Sequence, residues 1–76
     1  MTKKYNLYSS DGCHLCEEAL LLCEGIITQE NITVIDIVED ERLVKLYGTS
    51  IPVLEHIDSE QKLFWPFTQE NIKELT

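Results

Sequence analysis

A chain of 76 residues, 43% hydrophobic and 26% charged, has room for one small domain over residues 1–76 and is too apolar to be disordered. Fourteen Asp and Glu against six Lys and Arg leave a net charge of −8, which argues against nucleic acid as a partner and reads first as a solvated acidic surface. The longest apolar run, Ala19 to Cys23, falls well short of the ~20 residues of a spanning helix, and no signal-peptide core follows the N-terminal lysines, so a cytoplasmic protein with no membrane partner is expected.

In chain order, Tyr5 to Tyr8 reads as a short strand and Ser9 to Gly12 as a turn. From Cys13 to about Gly25, the residues Leu15, Ala19, Leu22, Cys23 and Ile26 recur at three- and four-residue spacing, the stripe of an amphipathic helix. Ile32 to Val38 is rich in β-branched residues and apolar enough to be expected inside a sheet. Strand, helix, strand in that order implies a right-handed parallel unit. Acidic Glu39, Asp40 and Glu41 suit the start of a second helix, with Leu43, Val44 and Tyr47 on its apolar face and Gly48 as its stop. A third strand is expected from Ile51 to Ile57 and a fourth from Lys62 to Phe67, joined by the polar turn Asp58 to Gln61 as an antiparallel hairpin. Thr68 suits the N-cap of a last helix through Leu75, completing the order βαβαββα.

Cys13 and Cys16 carry the chemistry. In the first turn of the helix, free N–H groups and the positive end of the dipole stabilise a thiolate on Cys13. Cys16, one turn on, shares its side and lies close enough for a disulfide. Two thiols at this spacing beside a strand–helix–strand unit are suited to thiol–disulfide exchange. Asp11, Glu17 and Glu18 favour the neutral thiol, while protonated His14 offsets them, so an intermediate thiolate tendency is expected. His14 either tunes the potential of the pair or sits idle on the surface. Cys23, on the apolar stripe, is expected to be a buried inert thiol, and His56 a structural residue. Zinc would require a second ligand pair that this spacing does not supply, so no metal is expected.

The element order, with C-x-x-C opening the first helix and Pro52 opening the third strand, resembles the thioredoxin superfamily, and the short length resembles glutaredoxins. The segment Gly12-Cys13-His14-Leu15-Cys16, followed by Glu17-Glu18-Ala19, is similar to that of small bacterial glutaredoxin-like proteins. A second anchor is Gly48 to Leu54, and the resemblance covers nearly the whole chain. It implies an α/β fold of the thioredoxin-like, glutaredoxin type, a small mixed four-stranded sheet with helices on both faces. It also implies that Cys13 is the nucleophile, that Cys16 resolves the mixed disulfide, and that Pro52 is cis and lies against the dithiol, with neighbouring backbone pairing to a bound peptide or thiol.

Two departures matter. Glutaredoxins usually carry a basic residue shortly before the first cysteine, where this chain has Ser9-Ser10-Asp11, and a Gly-Gly pair after the fourth strand, where it has Trp65-Pro66-Phe67-Thr68. Both positions serve glutathione in the family, so glutathione is disfavoured here, no other cofactor is expected, and a glutathione-ligated iron–sulfur cluster is disfavoured with it. Tyr8, His14, Leu15, Ile51, Pro52 and Trp65 are the candidate substrate contacts. Packing is the default for Trp65 and Phe67, with a hydrophobic platform for a partner protein as the alternative. The expected function is that of a monomeric thiol–disulfide oxidoreductase acting on a disulfide-containing protein or small thiol. Its rival is a non-enzymatic binding module of the same fold that holds a partner in the same cleft. Titration across a redox-buffer series separates them.

Overall fold

A computed structural model describes residues 4–75. Its strands are β1 (Tyr5–Ser9), β2 (Ile32–Asp36), β3 (Val53–His56) and β4 (Gln61–Phe64), joined in one sheet of order β2-β1-β3-β4. Helix α1 (His14–Glu24) carries the crossover from β1 to its parallel neighbour β2, and α2 (Glu41–Tyr47) connects β2 to β3. β3 pairs antiparallel with both β1 and β4, and α3 (Gln69–Leu75) ends the order βαβαββα. No described helix is long and apolar enough to cross a membrane.

Strand alternation sorts the core onto two faces. Tyr5 and Leu7 of β1 and Leu54 of β3 pack with Ala19 and Cys23 of α1 and with Ile72 and Leu75 of α3. Tyr8 and Val53, the neighbouring positions, point the other way and pack with Ile37 and with Tyr47 of α2. Helices therefore cover both faces. On the α2 side, Tyr8 Oη donates to Glu55 Oε1 at 2.7 Å, Asn6 Nδ2 donates to the same oxygen at 3.2 Å, and Lys62 Nζ lies 3.5 Å from Glu55 Oε2. The register explains the cluster, since Asn6 and Lys62 each stand opposite Glu55 on adjacent strands.

Several local outcomes differ from the sequence reading, among them a third strand that spans Val53–His56 and not Ile51 to Ile57. Cys13 is the N-cap of α1, extended at φ −78° and ψ 108°, so it precedes the first helical turn. β2 stops at Asp36 because that carboxylate accepts the Val38 N–H at 3.0 Å and caps a 3-10 turn over Ile37–Glu39. β2 is also an edge strand, with Val34 52% exposed, because β3 takes the inner place beside β1. β4 ends at Phe64, ahead of Pro66, although the Trp65 N–H still donates to the Pro52 carbonyl at 3.2 Å. The last helix begins where Thr68 and Asn71 cap each other: Asn71 N–H donates to Thr68 Oγ1 and Thr68 N–H to Asn71 Oδ1.

Candidate active site

Cys13 and Cys16 are joined as a disulfide, their Cα atoms 5.2 Å apart. The turn that delivers them is short. Gly12 adopts φ +80°, a left-handed conformation that glycine takes without steric cost, and the Cys13 N–H donates to the Ser10 carbonyl at 3.1 Å. Cys13 Sγ then accepts the Cys16 N–H at 3.2 Å, one of the donors that a helix start leaves unpaired. The two cysteines differ in access, since Cys13 is half-buried and Cys16 buried.

A hollow of about 350 Å³ opens beside the disulfide. Its wall combines both cysteines with Leu7 and Ser9 of β1, the Ser10–Gly12 turn, Glu17 and Leu20 of α1, and Val34 and Asp36 of β2. Among the described residues, three carboxylates and no Lys or Arg line it. Ser9 and Asp36 stand side by side at the carboxyl ends of the parallel strands, where α/β sheets commonly present ligand sites. Sequence reasoning placed Ser9 in a turn and left Val34 and Asp36 out of the site. The signal was available in the parallel pairing itself, which sets the end of β1 against the end of β2.

The other sequence-derived positions are dispersed. His14 and Leu15 follow Cys13 on the exposed start of α1, with His14 Nδ1 3.7 Å from Glu17 Oε2. Pro52 is fully buried, the Ile51–Pro52 bond is cis, and the Ile51 N–H donates to the Tyr47 carbonyl at 3.1 Å. Tyr8 is buried on the α2 side, its hydroxyl committed to Glu55 and its ring 4.6 Å from that of Tyr47. Burial first, then the Glu55 carboxylate, push the Tyr8 phenol up to about 12. Trp65 meets Phe67 edge-on at 5.1 Å and lines a separate depression with Glu18, Leu21, Leu22 and Gln69. Neither Tyr8 nor Trp65 lines the hollow beside the disulfide.

Cys23 is 0% exposed in the α1 core, and its thiol is pushed up to about 11 by burial, with Glu24 adding to the effect. Such a thiol is neutral at physiological pH and poorly nucleophilic. Among the described residues, no group of three or more His, Cys, Asp or Glu side chains is placed to hold a metal ion.

Residues 4–75 match the family model described as Glutaredoxin-like domain (DUF836). Among solved structures, the X-ray structure of the structural-genomics target protein XcR50 from X. campestris is similar at a TM-score of 0.82 and 28% identity, covering 92% of this chain and 91% of that one. The solution NMR structure of protein Ne2328 from Nitrosomonas europaea is similar at a TM-score of 0.77 and 28% identity, covering 100% of this chain and 94% of that one. No curated protein sequence matches the chain.

Proposed function

Because this chain belongs to the glutaredoxin-like domain family, with the thiol redox pair that Cys13 and Cys16 form, we propose that it is a thiol–disulfide oxidoreductase acting on a protein disulfide. The observation that carries this reading is the unequal access of the two cysteines at the start of an eleven-residue helix. In the reduced state, the helix N-terminus favours a thiolate on Cys13, whose sulfur in the disulfide accepts the Cys16 N–H.

The Cys13 thiolate attacks one sulfur of the substrate disulfide. A Cys13–substrate disulfide forms, and the other substrate sulfur leaves as a thiolate that takes a proton from solvent. Cys16, deprotonated, then attacks Cys13 Sγ and expels the second substrate thiolate, which is protonated in turn. Two electrons and two protons have passed to the substrate, and Cys13–Cys16 is oxidised. An external dithiol reductant returns the pair to its starting state. A reducing cytoplasm is the setting in which this cycle runs, with the protein acting as a monomer.

Glutathione suits this site poorly. It is anionic at neutral pH, and the hollow beside the disulfide offers Asp11, Glu17 and Asp36 with no Lys or Arg among the described residues that line it. Reduced wild-type protein should therefore turn over faster with a dithiol reductant than with glutathione. Cys13→Ser should lose disulfide reduction altogether, Cys16→Ser should accumulate mixed disulfides on Cys13, and Cys23→Ser should retain the chemistry. Mass spectrometry of the trapped species, together with a dithiol-coupled reduction assay, checks each outcome. Equal loss from all three changes, or the absence of a reversible two-electron couple in a redox-buffer series, would overturn the assignment.

A further inference from the structure

The hollow beside the disulfide is more than open surface, because a nearly buried hydroxyl without a partner among the described side chains lines it. Ser9 is 8% exposed, and on β1 it shares the face of Tyr5 and Leu7, beneath α1. Its hydroxyl has no hydrogen-bond partner among the described residues, yet no side-chain oxygen is sealed away unpaired, so the Ser9 oxygen opens to the hollow that the residue lines. A nearly buried hydroxyl left without a partner marks a place where a ligand can supply one. The carboxylates of Asp11, Glu17 and Asp36 stand around the same wall. One Asp36 oxygen caps the Val38 N–H, and Glu17 faces exposed His14 at 3.7 Å. The three are spread along the wall and do not converge as metal ligands would. Leu7, Leu20 and Val34 supply an apolar lining between them.

We propose that this hollow is a subsite for a lysine or arginine side chain that flanks the cysteine of a substrate disulfide. An apolar stem ending in a cationic donor group matches both parts of the wall: methylenes against Leu7, Leu20 and Val34, and N–H groups toward Ser9 Oγ and the carboxylates. The volume of about 350 Å³ sits at the low end for ligand pockets and has room for one long side chain. Cys13 and Cys16 form part of the same wall, so a side chain seated there brings the adjoining backbone to the redox pair. This inference rests on the dithiol reading above and names its substrate class, disulfides in basic polypeptide segments.

The test separates binding from chemistry. Short peptides carrying S-methylcysteine, which cannot exchange, are titrated into the oxidised full-length protein and followed by amide chemical shifts. A peptide with arginine and lysine beside the S-methylcysteine should perturb Ser9, Asp11, Gly12 and Val34, and at low salt bind at least about tenfold tighter than its glutamate counterpart, a gap that narrows as salt rises. Asp11→Asn, Glu17→Gln and Ser9→Ala should each weaken the basic peptide by about threefold. Glu70→Gln and Glu74→Gln, on α3 and outside the hollow, should leave it unchanged. Equal affinity for both peptides, perturbations confined to another surface, or equal weakening by the α3 changes would overturn the proposal. In the reaction itself, reduced protein should favour the basic disulfide peptide by the same ratio. Preferential binding without any disulfide reduction would sink the oxidoreductase reading and leave the subsite standing; reduction of both peptides with no binding preference would do the reverse.

Discussion

The two faces of the sheet solve different problems. Beneath α1 and α3, Leu7, Ala19, Cys23, Leu54 and Ile72 form a continuous apolar core with almost no exposure, and α1 is the helix that presents the disulfide. On the α2 side the buried cluster is smaller, built around Tyr8, Ile37, Tyr47 and Val53, and a single carboxylate ties three strands together through Tyr8, Asn6 and Lys62. Apolar burial is insensitive to pH and stabilises roughly in proportion to area, whereas a partly buried carboxylate network depends on charge. The dithiol therefore hangs from the face whose buried cluster holds no carboxylate and whose stability does not titrate through the acid range. Its geometry can be held steady while acidic groups around it change.

Truncation on each face gives the largest effect and tests that contrast directly. Ile72→Ala empties a fully buried position where α3 locks onto the α1 core and should cost about 3–5 kcal/mol, a large share of what a domain of this size possesses. Ile37→Ala, at the centre of the smaller cluster, should cost about 2–3 kcal/mol. Urea midpoints for the two variants measure the difference. An equal or reversed ranking would mean that the α2 side carries as much of the core as the α1 side.

Cys23→Ser sharpens the same comparison from inside α1. The substitution keeps the volume nearly constant but places a hydroxyl among apolar side chains, and should lower stability by about 1–2 kcal/mol while disulfide reduction by Cys13 and Cys16 persists. The chemistry and the core would then be shown to be separable on one helix. A loss of activity larger than the loss of folded protein would instead bring Cys23 into the redox cycle.

Much of this architecture was legible in local patterns. The stripe through Ala19 and Cys23, the β-branched run from Ile32, the acidic run Glu39 to Glu41 and the cap at Thr68 are short-range signals, and the elements follow them. What escaped depends on contacts between distant segments. The run after Asp36 remained β-branched, but Asp36 bonds forward to Val38, and a cap of this kind competes with a strand invisibly in an apolar count. The position of β2 at the edge was hidden because Val34 reads as apolar whether a neighbouring strand covers it or not. At the site, the C-x-x-C pair was evident from spacing. The hollow was not, because Ser9, Glu17 and Asp36 meet only once β1, α1 and β2 have assembled. The pairing of Glu55 with Lys62 was hidden as well, because the turn expected from Asp58 to Gln61 sets Phe64 opposite Glu55, whereas the hairpin turns one residue earlier.

The smallest effect is the most specific to the α2 face. Burial alone would raise the Glu55 carboxyl, but hydrogen bonds from Tyr8 and Asn6 and the nearby Lys62 charge outweigh it and hold the group below its ordinary 4.5. Between the folded and unfolded values, the unfolded chain binds more protons. Stability from Glu55 is thus complete above about pH 5.5, begins to fall as the pH nears 4.5, and is lost as pH drops through the folded value. Tyr8 has the opposite sign: with its phenol raised to about 12, its contribution is intact below 10 and lost as pH climbs from there to about 12. Tyr8→Phe should cost about 1 kcal/mol at neutral pH, flatten the acid limb by withdrawing one donor from Glu55, and remove the alkaline loss that this phenol causes. Urea midpoints from pH 3 to pH 7, with a second series above pH 9, measure both limbs. Parallel acid limbs for the wild type and Tyr8→Phe would show that Asn6 and Lys62 hold the carboxylate without the phenol, and Glu55→Gln, which removes the ionising group itself, should then be the variant that flattens the limb.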